Sequence, residues 1–77
     1  MSETFGRLIA DRRHVKGWTQ TYLARVLGID RSYLARLEAG ERGASAQTLE
    51  SLSRALDLDL GHLTRLAARF ERERDAA

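Results

Sequence analysis

The sequence has 77 residues, with 13 Lys and Arg against 11 Asp and Glu and no cysteine or proline. A chain this short holds one domain near the lower limit for a single apolar core, and without cysteine neither disulfides nor thiolate metal sites can hold it, which fits a reducing interior. The net charge of +2 identifies no polyanionic partner by itself, but residues 1–42 carry eight cations against five anions while residues 43–77 carry five against six, so the basic excess sits in the first half.

Apolar residues recur at helical spacing along almost the whole chain and strand-type alternation is hard to find, which predicts an all-α fold of five short helices. Phe5, Leu8, Ile9 and the stem of Arg12 share one face of a first helix that stops near Lys16 and Gly17. Thr19 is placed to cap a second helix from Gln20 to Leu27, with Trp18 and Leu23 at the spacing of a hydrophobic staple. Gly28 follows at the helix end, and Asp30 offers the next cap two residues later. The third helix turns Leu34 and Leu37 inward and finishes before Gly40; the stretch from Gly40 to Gly43 is the longest loop.

Ser45 can cap a fourth helix with Leu49, Leu52 and Leu56 inside, and Asp59 a fifth that shows Leu60, Leu63, Leu66 or Ala67, and Phe70. The expected organisation is one domain over residues 1–77, with a core of about 5–63. A helical extension occupies about 60–73, and a charged tail from Glu71 to Ala77 should fray. No run approaches the length of about eighteen apolar residues that a membrane span needs, and the start lacks the pattern of a signal peptide. A cytoplasmic protein with no membrane partner is expected.

The segment from Gln20 to Leu37 carries the functional signal. Two helices joined by so short a turn must cross steeply, so a small residue is needed where their backbones approach, and Ala24 stands one helical turn before Gly28. Gly28 permits a positive φ in the turn. Ile29, Leu34 and Leu37 can then join Leu23 and Leu27 in the core, leaving Arg31, Ser32, Tyr33 and Arg36 on the outer side of helix three.

With these residues the chain resembles the phage-repressor type of helix-turn-helix, the XRE or Cro/repressor family. The match runs from about Phe5 to Leu63 and includes Arg13, Thr19-Gln20 before Leu23-Ala24, Gly28, Asp30, Leu34, Leu37, Glu38 before Gly40, and Leu49, Leu52, Ala55 and Leu56. The resemblance implies five helices, with helix three in the major groove of operator DNA bound by two-fold dimers. It implies that Gln20 contacts the phosphate backbone and braces the recognition helix, with Thr19 beside it, and that Arg31, Ser32 and Arg36 reach base edges. It also implies that Arg13 and Glu38 form an internal salt bridge.

The residue chemistry agrees with those roles. An arginine fork can donate two hydrogen bonds to O6 and N7 of guanine, so guanines are expected in each half-site. Ser32 can serve several base edges, Tyr33 either a thymine methyl or a phosphate, and Arg42 a phosphate or the minor groove from the loop after helix three. The chain departs from the family pattern at Ala44, Ala46 and Asp57, where proline, a larger apolar residue and glycine are usual, and at Ala39 and Glu41, often basic in the family.

Trp18 and Tyr22 could stack on bases but fit better as staple and boundary aromatics. His14 and His62 have no companions at metal-ligand spacing, and no nucleotide-binding loop, serine elbow or paired acid and base is present. No catalytic residue, metal or cofactor is expected. Leu66, Ala67 and Phe70 continue the apolar stripe past the family match and, with Leu60 and Leu63, suggest a homodimer interface; the alternative is that Phe70 folds back onto helix one. A rival function keeps the same fold but binds a protein, as an antitoxin or adaptor would.

Overall fold

The computed structural model describes residues 3–76, which form α1 (Phe5–Val15), α2 (Gln20–Leu27), α3 (Arg31–Glu38), α4 (Ala46–Leu56) and α5 (Leu60–Ala76). There is no strand among the described residues. Four of the helices begin under a short polar side chain that takes up an N–H of the first turn. Thr4 accepts from Arg7 at 3.2 Å, Thr19 from Tyr22 at 3.0 Å, Ser45 from Thr48 at 3.2 Å and Asp59 from His62 at 2.7 Å. Asp30 is the exception. It holds the extended N-cap conformation of α3 but makes no side-chain capping bond, so it contributes the backbone entry angle and a negative charge at the helix N-terminus.

The first four helices end in one way. The N–H groups of Trp18, Ile29, Glu41 and Leu58 each reach back five residues to a carbonyl of the last turn, which requires a left-handed residue just before them. Gly17, Gly28 and Gly40 fill that place after α1 to α3. After α4 it is Asp57, at φ 56°, the one non-glycine residue with positive φ among those described. The substitution for the usual glycine therefore leaves the conformation intact, and Lys16 Nζ donates to the Asp57 carboxylate at 2.8 Å, tying this turn to α1.

The inner faces then meet as the periodicity requires. Phe5, Leu8 and Ile9 pack with Leu23 and Ala24, Leu34 and Leu37, Leu49, Leu52 and Leu56, and Leu63, Leu66 and Ala67 in one core. Trp18, Leu27, Ile29, Tyr33 and Phe70 pack around its margin. α1 runs against α3, α4 and α5, while α2 is held between α3 and α4. The α1–α3 crossing is very close: a Cβ on Gly6 would lie 2.5 Å from the Leu37 carbonyl oxygen and 2.6 Å from that of Glu38.

Two expectations for the C-terminal helix change. Leu63 and Leu66, assigned above to a dimer interface, are 0% and 5% exposed within the single chain. The short core uses them to close over α1 and α4, so they have no surface left for a partner. Phe70 is half-buried and lines a groove with Phe5, Gly6 and Ala10, folded back toward α1. The tail also stays regular: α5 continues through Ala76, and Ala77 lies outside the described residues. Residues 71–76 contain only helix-tolerant types and no glycine or proline, and Arg74 stacks over the Phe70 ring one turn earlier, 6.0 Å from its centroid.

Candidate nucleic-acid interface

The turn between α2 and α3 sets the site. Ala24 is buried where the two helices approach, Gly28 takes φ 72°, and the turn closes with Ile29 N–H on the Ala24 carbonyl at 3.0 Å. Leu34 and Leu37 are both 0% exposed, which fixes the rotation of α3 about its axis. The opposite side of α3 must face outward. Arg31, Ser32 and Arg36 are exposed there, and no carboxylate among the described residues forms a salt bridge with either arginine. Ser32 and Arg36 are one turn apart on the outer face. Ala35, which drew no functional attention in the sequence, lies between them and Arg31 and keeps that surface low; its signal was only its spacing.

Arg31 is connected inward through a chain of hydrogen bonds. Its Nη1 donates to Gln20 Oε1 at 3.3 Å, and Gln20 Nε2 donates to Glu38 Oε1 at 3.1 Å. Glu38 in turn accepts from Arg13 on both oxygens, from Nε at 2.7 Å and from Nη2 at 2.9 Å, and Arg13 Nη1 donates to the Trp18 carbonyl at 2.8 Å. The side chains of Arg13 and Glu38 are 8% and 7% exposed. Burial alone would push the Glu38 carboxyl up. The hydrogen bonds from Arg13 and Gln20, with the charge of Arg13, outweigh it and hold the group below the usual carboxylate range. The hydrogen bond to Glu38 raises the Arg13 pKa, burial opposes it, and the Glu38 charge adds to the rise.

The remaining residues flank this centre. Thr19 is exposed beside Gln20, its hydroxyl already used as the α2 cap. Tyr33, placed by the sequence on the outer side of α3, is half-buried; its hydroxyl donates to the Gly43 carbonyl at 3.1 Å and pins the loop that follows α3. Arg42 on that loop lies over the Tyr33 ring, 5.7 Å from its centroid, and is exposed. Trp18 and Tyr22 pack edge to face at 5.0 Å. His62 Nε2 sits 2.8 Å from Glu3 Oε1, and His14 is exposed. Among the described residues no group of His, Asp or Glu could hold a metal ion, and no helix is long and apolar enough to cross a membrane.

Two helices crossing over a glycine turn, the second presenting an exposed cationic and hydroxyl-bearing row, define a helix-turn-helix DNA-binding domain. A helix-turn-helix family model matches residues 9–63. The chain is 40% identical over 58 residues to the ImmF control region 10 kDa protein of Bacillus phage phi105, a match that covers 75% of this chain and 64% of the phage protein, somewhat under two thirds of its length. The restriction-modification controller protein C.AhdI from Aeromonas hydrophila superposes with a TM-score of 0.70 at 37% identity, over 77% of this chain and 89% of that one. SinR, the master regulator for biofilm formation, known from Bacillus subtilis and solved in complex with DNA, superposes with a TM-score of 0.72 at 32% identity, over 79% and 98% of the two chains. The chain belongs to the helix-turn-helix family of DNA-binding transcriptional regulators, of the XRE type. The family and these neighbours are regulators and not enzymes.

Proposed function

We propose that this chain is a sequence-specific regulator of transcription, a homodimeric repressor that lays α3 in the major groove of each half of a palindromic operator. The observation that carries the reading is the exposed row of Arg31, Ser32 and Arg36 on a helix whose opposite face is locked into the core. Arg31 and Arg36 are suited to guanine, Ser32 to several base edges, and the small Ala35 between them to a thymine methyl. Gln20 and Thr19 lie at the start of α2, where backbone N–H groups and short polar side chains meet phosphates; Arg42 extends the contact along the flank. Tyr33, with its hydroxyl engaged, offers the edge of its ring and the support of Arg42.

The phage relative is named for a control region, C.AhdI is named as a restriction-modification controller protein, and SinR was solved in complex with DNA. Each name supports a role at operators. A two-fold operator needs paired readers with half-sites centred about 34–36 Å apart. With Leu63 and Leu66 inside the core, the large apolar side chains of α5 that keep surface for pairing, among the described residues, are Leu60, 41% exposed, and the half-buried Phe70.

Selection of bound duplexes from a random pool tests the reading. A palindrome with guanines in each half-site is expected, bound with an affinity that falls steeply as salt rises because phosphate contacts release counterions. Binding that is absent or insensitive to salt would favour the rival, a protein-interaction module. Sedimentation of Leu60→Glu separates the dimer from the DNA reading: the variant should shift to monomer, and an unchanged dimer would remove this face from the interface.

A further inference from the structure

We propose that Glu38 is a specificity-determining residue that acts at a distance, by fixing which way round the Gln20 amide sits and thereby which edge of Arg31 is offered to a base. The inference rests on Arg31 as a base reader, the role argued above.

The Gln20 amide has two unlike ends. An ionised carboxylate accepts and cannot donate, so the end that meets Glu38 Oε1, at 3.1 Å, must be the NH2 group. Glu38 stays ionised because Arg13 bonds both of its oxygens. The carbonyl end of Gln20 is then turned toward α3, where Arg31 Nη1 donates to it at 3.3 Å. A reversed amide would set its NH2 against the Arg31 guanidinium, donor against donor, and its carbonyl against the Glu38 carboxylate, acceptor against acceptor.

The consequence falls on Arg31. With Nη1 engaged by Gln20, the edge formed by Nε and Nη2 is the free pair of donors, the two-pronged arrangement that matches O6 and N7 of one guanine. An exposed arginine without such a tether samples many rotamers and must lose them on binding. The buried Arg13–Glu38 pair thus works through Gln20 to hold a reading side chain ready, although neither member of the pair is exposed to DNA. Ser32 and Arg36 have no hydrogen bond to this chain of groups, so the effect is confined to the base pair that Arg31 meets.

The test uses the full chain and a duplex recovered by selection from a random pool, together with a panel carrying each base substitution in one half-site. Discrimination is the ratio of dissociation constants for the substituted and selected duplexes. Arg31→Ala should flatten discrimination at one position. Gln20→Met, which keeps length and helix propensity and leaves Arg13 and Glu38 paired, should lower discrimination at that same position about fivefold, the worth of one hydrogen bond, and leave the Arg36 position unchanged. Glu38→Gln, measured at a temperature where circular dichroism shows it folded, should do the same, because glutamine can donate or accept and no longer dictates the amide; unchanged discrimination in this variant while Gln20→Met loses the position would overturn the role of Glu38. If Gln20→Met weakens all duplexes by one common factor while Arg31→Ala still loses its position, Gln20 is a phosphate contact only and the proposal is overturned. If Arg31→Ala loses no position, base reading by Arg31 itself fails, and the relay with it.

Discussion

The two ends of α3 are built on opposite terms. At its C-terminal end the backbone is pressed against Gly6 with no room for a Cβ, Leu37 is fully buried, and Glu38 is gripped by Arg13 and Gln20. At its N-terminal end Arg31 and Ser32 face solvent, and the helix starts without a side-chain cap. Eight residues thus join a clamp to a reading surface. The clamp determines where α3 lies, and the reading end can change its chemistry without loss of the fold, because its side chains contribute little to the core.

The comparison is broken most severely by cutting the clamp. Glu38→Ala leaves the buried Arg13 guanidinium without its carboxylate and should cost about 3–5 kcal/mol of stability in urea unfolding, a loss typical of breaking a buried pair. The same pair gives the domain an acid limb. Because the folded Glu38 carboxyl lies below its unfolded value of about 4.3, the stabilisation is complete above that pH and is lost as pH falls through the folded value. Glu38→Gln should therefore lose stability less steeply on acidification than the parent chain.

Gly6→Ala attacks the clamp from the other side. Its methyl group meets two backbone carbonyls, so α1 or α3 must shift, at a cost of about 1–3 kcal/mol by the usual scale of overpacking. Thermal unfolding would register it, and an unchanged midpoint would mean that the crossing is softer than described. At the reading end, Arg31→Ala should leave stability nearly unchanged but cost about 1–3 kcal/mol of discrimination at one base position. Equal losses on selected and random duplexes would argue against direct base reading. The smallest effect is expected at the edge of the two regions: Thr19→Ala removes the α2 cap and should cost about 1 kcal/mol.

The sequence disclosed these two ends unequally. The spacing of Thr19, Gly28 and Asp30 marked both helices of the motif, because caps and left-handed glycines are local chemistry, and α2 and α3 fall within those bounds. Gly6 gave no local signal, since its need arises from the Leu37 and Glu38 carbonyls some thirty positions away. Periodicity placed Leu63, Leu66 and Phe70 on one face of α5 but could not say what covers that face; a small core took the first two for itself. Tyr33 was read from its place on the helix, whereas its hydroxyl was claimed by the Gly43 carbonyl in a loop. The Arg13–Glu38 pairing and the bracing of α3 by Gln20 came from resemblance, whereas the hydrogen bonds that join them, from Gln20 to Glu38 and from Arg31 to Gln20, emerged only when three helices were brought together. The tail was judged by its alternating charges, which do not by themselves unwind a helix rich in Arg, Glu and Ala.

The most direct test of the reading surface is a titration of the 15N-labelled chain with its selected duplex, followed by amide chemical shifts. The account predicts the largest changes at Thr19, Gln20, Arg31, Ser32, Arg36 and Arg42, with small ones at Phe5, Ile9 and Leu63. Shifts centred on α5, or on the Tyr22 and Val26 side of α2, with α3 undisturbed, would contradict it.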